Sequence, residues 1–168
     1  MTSIYSIQDW LQSTQYYHYD VIYRFGKYYY AKRDIMANTT FDFSDWGGFS
    51  TYGNESKPEF IWRPDYNSPT NHIPRVKSIQ FGDGYEQRAA DGIHNQLLEF
   101  DLDFNLRSLR EAHAILHFFY ARNGTESFFF TPNAPYAARK KFTCREWQHS
   151  EVYADNHSIK AKLKESIT

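Results

Sequence analysis

The clearest pattern of hydrophobic and polar positions lies in the second half of the chain. Leu98, Phe100, Leu102, Phe104 and Leu106 alternate with Glu99, Asp101, Asp103 and Asn105. That period of two predicts a strand over 97–106 with one buried face and one acidic, wet face. A last strand repeats the pattern with opposite charge, Ile159, Ala161 and Leu163 alternating with Lys160, Lys162 and Lys164. Three lysines on one face discourage unwanted edge pairing, or meet an acidic surface such as the Asp101 and Asp103 face of a neighbouring copy. Between these strands the period changes. Leu109, Ala112, Leu116 and Phe119 form a helical stripe that should face the sheet. Ser108 and Glu111 fit a capping box, and Asn123-Gly124 fits a C-terminal cap. Strands are predicted at 127–131, stopped by Pro132 and Pro135, and at 142–148.

Earlier in the chain the elements are shorter. Residues 7–11 fit one short strand or a helical turn. Residues 19–23 and 28–32 read as two strands of a hairpin around Phe25-Gly26-Lys27. Residues 36–45 are a polar loop, and Trp46-Gly47-Gly48 closes the unit. A polar linker at 53–57 precedes a strand at 60–63 and a loop at 67–74. Then comes Phe81-Gly82-Asp83-Gly84-Tyr85-Glu86-Gln87-Arg88, a tight turn with an aromatic on each side. Asp91-Gly92 follows as a second turn. Glu86 and Arg88 lie between the turns on a segment too short to bury them. They are either solvated charges or part of a loop that docks on a partner.

Composition divides the chain further. Residues 1–56 hold 15 of the 32 Phe, Trp and Tyr residues in a third of the length, with six acids and four bases. The remainder carries 14 acids and 15 bases, so a domain boundary is placed at 56/57. Net charge of −1 argues against a general nucleic-acid or anionic-membrane binder. The aromatic content of 19% suits a β-rich, interface-rich protein. A single cysteine, Cys144, excludes a disulfide within the chain, and no apolar run reaches membrane-spanning length.

The search for catalytic chemistry returns little. There is no nucleophile elbow and no phosphate loop, and Gly82-x-Gly84 lacks the third glycine of a dinucleotide loop. Cys144 shares the inward alternation of Phe142, which makes it a buried inert thiol rather than a nucleophile paired with His149. His113 and His117 share a helix face at a spacing that can chelate zinc, but no third ligand accompanies them. Neither an enzyme, a metal nor a cofactor is expected.

Two resemblances sharpen this reading. Pro74-Arg75-Val76 with the 81–88 segment is similar to the signature of phage minor tail proteins of the lambda M type. Residues 60–66, the aromatic-Thr-Pro segment 128–132 and Cys144-Arg145-Glu146-Trp147 follow in that family's order. Phe130 stands where a Trp is commoner. The resemblance implies a structural tail-tip protein of a long-tailed, non-contractile phage. It further implies a ring, by analogy a hexamer, between tail tube and tip hub that supports initiation of tube assembly. Its partners would be copies of itself, the tail tube protein, hub proteins and the tape-measure protein. No sequence-specific nucleic acid and no membrane are expected. Its place would be the virion tail tip, with assembly in the host cytoplasm. Phe81, Asp83, Tyr85, Glu86 and Arg88 are the expected ring or hub contacts.

Residues 1–56 resemble a small chitin-binding type of carbohydrate-binding module. Trp10, Asp20-Val21-Ile22, Gly26-Lys27, Tyr29, Ala31-Lys32 and Trp46 carry that likeness. Arg33 and Asp34 stand where such modules keep their stacking aromatics. Tyr28, Tyr30 and Trp46 are the candidate glycan or protein contact surface, and glycan binding is the alternative function. The expected fold is mainly β with one helix. A three-stranded N-terminal module (1–56) is followed by a tail-tube-like β-barrel or sandwich (57–168).

Overall fold

A computed structural model of the chain describes residues 3, 4, 6–37, 40–48 and 57–167. The linker predicted at 53–57 lies outside the described residues except for Lys57. Most described elements are strands, with one α-helix, as expected.

The N-terminal unit is a four-stranded sheet in the order β1 (Gln8–Asp9), β2 (Val21–Arg24), β3 (Lys27–Ala31), β4 (Trp46–Gly48). The expectation was three strands. Residues 7–11 take the strand alternative as β1, which runs parallel to β2 with Gln8 opposite Ile22. The closing Trp46-Gly47-Gly48 segment adds β4, antiparallel to β3. The β2–β3 hairpin forms as predicted, with Gly26 at φ +75°. Gly47 lies opposite Tyr30, and a Cβ there would fall 2.2 Å from the Tyr30 ring. Glycine is required at that position because the outer atoms of the Tyr30 ring fill the space a Cβ would need.

The larger unit is a six-stranded sheet in the order β5 (Glu59–Phe60), β10 (Phe128–Phe130), β11 (Lys140–Tyr153), β12 (Asn156–Glu165), β9 (Leu98–Arg107), β6 (Thr70–His72). β5 and β6 are its two edges, so the barrel does not close. Phe100, Leu102 and Phe104 point inward from β9 as the alternation predicts. Leu106 does not. It sits at φ +56° in a bulge between the pairs Ile159–Phe104 and His157–Arg107, and its side chain is exposed. A bulge inserts one residue and inverts the alternation beyond it.

The three lysines of β12 find a different use from the one expected. β12 is an interior strand, so it has no free edge to protect. Lys164 meets Glu99 at 2.6 Å and Lys160 meets Asp103 at 3.8 Å, while Lys162 lies opposite Asp101. The acidic and basic rows predicted from the pattern are cross-strand partners within one chain.

The helix α1 (Leu109–Arg122) starts at Ser108, whose Oγ accepts from the Glu111 amide, and ends at Asn123 in the left-handed conformation. Glu111 completes only half of the capping box, because its carboxylate is held by Arg107 at 3.2 Å. Ala112, Leu116 and Phe119 are buried as predicted, but Leu109 is exposed and Ala114, Ile115, His117 and Phe118 are buried as well. The reason is a second layer. The sheet covers one face of α1, and the N-terminal unit covers the stripe of Arg110 and His117. Asp20 pairs with Arg110 at 3.2 Å, the Ile4 carbonyl accepts from His117 Nδ1 at 3.1 Å, and Tyr28 packs edge-on to the His117 ring. Val21 and Tyr30 belong to the same buried cluster as Phe60, Trp62, Phe104 and Phe118. The compositional boundary therefore coincides with a continuous core.

Candidate interaction surface

Strands β7 (Val76–Gln80) and β8 (Glu86–Ala90) form a separate two-stranded sheet, and every residue of both is exposed. The local sequence explains the hairpin. Gly84 takes φ +77° and its amide donates to the Phe81 carbonyl, while the Phe81 amide donates to the Tyr85 carbonyl at 2.7 Å. Gly92, at φ +88°, makes the second predicted turn. At the base, the Asp91 amide donates to the Arg75 carbonyl, and Lys77 pairs with the Asp91 carboxylate at 3.2 Å.

The register sorts the ribbon into two faces. Ser78 lies opposite Arg88 and Gln80 opposite Glu86 on one, while Ile79 lies opposite Gln87 on the other, leading to Phe81 and Tyr85 at the tip. The first face is polar towards the tip, with Val76 opposite Ala90 at its base. Glu86 and Arg88 meet at 2.8 Å, and that contact, with help from Ser78, holds the Glu86 carboxyl below its usual range and raises Arg88. The second face exposes Ile79, Phe81 and Tyr85 together. An isolated two-stranded ribbon is marginal in water, and clustered apolar groups on such a ribbon mark an interaction surface. All five residues expected at the contact lie on this hairpin. Ile79 was not among them; its place on the Phe81 side of the register is the signal that identifies it.

The N-terminal candidates fall differently. Tyr30 and Trp46 are only 6% and 4% exposed, so the expected contact surface at those rings is not there. Tyr30 packs on Trp62 and over Gly47, and Trp46 stacks on Phe41. Tyr28 is half-buried against His117. Among the described residues of this unit the exposed aromatics are Tyr17, Phe25 and Phe43, and the rings of Phe25 and Phe43 lie nearly parallel (25°) at 6.2 Å. Beside them the Arg24 guanidinium sits over Trp10 at 3.8 Å and Phe25 at 4.6 Å. Phe43 falls in the stretch read as a polar loop, which hides it.

Other reactive groups have structural employment. Burial pushes the Cys144 thiol up to about 12, which leaves no thiolate at neutral pH. Burial drives His117 down to about 4. Among the described residues no three His, Cys, Asp or Glu side chains gather as a metal site, and no helix is long and apolar enough to cross a membrane.

Exposed apolar side chains grouped on a two-stranded ribbon mark a protein that works in contact with partners. The comparisons agree. The sequence profile of the phage minor tail protein family matches residues 58–167, and the chain belongs to that family. It is 33% identical over 89 residues to tail tip protein M of Escherichia phage lambda, covering 52% of this chain and 79% of that protein. This is a structural protein of a phage tail.

Proposed function

We propose that the β7–β8 hairpin joins copies of this chain into a closed ring at the tail tip, between the tube and the hub. The carrying observation is the ribbon itself, whose Ile79, Phe81 and Tyr85 side chains are exposed among the described residues. One surface that recognises a different surface on an identical neighbour generates a ring when the rotation closes. Sixfold closure would match a sixfold tube. The ring then offers the tube protein a template on one side and the hub on the other, with the tape-measure protein passing through. Assembly takes place in the host cytoplasm before incorporation into the virion.

The test is complementation of a phage deleted for this chain. Phe81→Ser with Tyr85→Ser changes only exposed groups, so melting should shift little, within about 0.5 kcal/mol. Plaque yield should fall to that of the deletion strain, with no complete tails by electron microscopy. Normal tails from this variant would refute the assignment.

A second reading concerns the N-terminal unit, which lies outside the family match. The parallel exposed rings of Phe25 and Phe43 suit stacking on a sugar ring of a host-surface glycan. Phe25→Ala with Phe43→Ala should then leave tail assembly intact and slow adsorption to host cells. Unchanged adsorption would remove this role.

A further inference from the structure

At the end of the six-stranded sheet nearest the hairpin base lies an open groove of about 670 Å³, lined by Lys57, Arg75, Arg145, Leu97 and Ile167 among others. Two carboxylates also line it, and both are engaged elsewhere: Glu165 with Lys140 at 2.8 Å and Glu126 with Arg122 at 3.5 Å. Lys164 is likewise held by Glu99. The Arg75 side chain donates to the His94 carbonyl at 3.3 Å, and neither Arg75 nor Arg145 forms an ion pair among the described residues. Lys57 reaches the Ser127 hydroxyl. The groove thus presents two guanidinium groups, Arg75 and Arg145, that form no ion pair among the described residues and are flanked by apolar side chains.

Arg145 is placed there by a specific device. Cys144 pairs with Leu163 and Glu146 with Lys162, so Arg145 is the extra residue of a bulge in β11. A bulge of this kind re-aims one side chain out of the strand's alternation. Without it, Cys144 and Trp147 could not both face the core from one strand.

The hairpin tip has the complementary chemistry. Asp83 is exposed, sits between two glycines, forms no ion pair among the described residues, and is flanked by the exposed rings of Phe81 and Tyr85. Glu86, the other carboxylate of the ribbon, is already neutralised by Arg88. The tip cannot reach its own groove. Arg75 stands at the hairpin base, and seven extended residues carry Asp83 roughly 20 Å away from it.

We infer that the hairpin tip of one copy docks in the cationic groove of the next, with the Asp83 carboxylate accepting from Arg145 and Arg75 while Phe81 and Tyr85 cover Leu97 and Ile167. This rests on the ring reading above and names the surface that receives the ribbon. The contact joins two different patches of the same chain, which is the head-to-tail geometry a ring requires.

Charge reversal tests it in the complementation assay. Asp83→Arg and Arg145→Asp should each abolish plaque yield, and the doubly reversed chain should recover it, because the pair is restored with opposite polarity. Circular dichroism checks that each variant is folded. Normal yield from either folded single variant, or no recovery in a folded double variant, would overturn the docking assignment. The ring is checked separately by electron microscopy of wild-type tails. A ring present without recovery defeats only the docking assignment, whereas tails without a ring of this chain defeat the reading beneath it.

Discussion

Trp62→Ala should lower the unfolding free energy of the whole chain by about 3–5 kcal/mol, among the larger costs a single core truncation carries. Trp62 follows β5, is almost fully buried, and stands where the two units meet. Its ring contacts Phe60 at 5.1 Å and Phe118 at 5.7 Å on the family-matched side, and Tyr30 at 5.6 Å and Tyr19 at 6.1 Å on the N-terminal side. Truncation opens a cavity bounded by both units, and neither can collapse into it while the other is held to α1 by Asp20 and the Ile4 carbonyl. Chemical denaturation followed by circular dichroism measures the change. The N-terminal unit should melt together with the rest in the wild type and ahead of it in the variant. A loss under about 1 kcal/mol would mean that Trp62 does not join the two units.

What the sequence made legible follows from periodicity. β9, β12 and α1 have strong periods, and their core residues Phe100, Leu102, Phe104, Ile159, Leu163, Ala112 and Phe119 are where the pattern puts them. The 81–92 turns were legible for another reason: glycine at positive φ is needed there and little else would serve. The failures have equally local causes. Leu106 departed because bulges are invisible to a period-two count. The lysine row reads as an edge guard or as a contact for the acidic face of a neighbouring copy, because strand order is not contained in any one strand. The burial of Tyr30 and Trp46 was missed because aromatic content marks both cores and interfaces, and only the strand pairing with Gly47 and the presence of α1 decide between them.

The interface between the units was the least legible feature. Arg110, His113 and His117 recur at i, i+3 and i+7 on the polar side of α1, which reads as the solvent face of an amphipathic helix. A unit that covers a polar stripe must offer it partners, and Asp20 and the Ile4 carbonyl do so. Neither residue carries a motif. The spacing of His113 and His117 invited a metal; the structure spends His117 on docking instead.

That role carries the second large expected effect. Stability should fall by about 3 kcal/mol as pH drops from 6.5 to 4, by linkage through His117 alone. Burial is the main cause of its lowered pKa of about 4; His113 and Arg122 add to the lowering, and the hydrogen bond to Ile4 opposes it. The sign follows from which state takes up the proton. A group whose folded pKa is depressed below its unfolded value stabilises above the unfolded value, near 6.5, and that stability is lost as pH falls towards 4. In that window the unfolded chain binds a proton that the folded chain refuses. The carbonyl of Ile4 can only accept, so Nδ1 carries the hydrogen in the folded neutral ring. His117→Gln keeps a donor for that carbonyl and removes the titration. The difference between wild-type and His117→Gln unfolding free energies, measured at half-unit steps, should therefore widen between pH 6.5 and 4 and stay flat above 7. His149, also depressed, titrates in both proteins and cancels from the difference. Parallel pH curves for the two proteins would show that His117 is not held neutral by burial beneath the N-terminal unit.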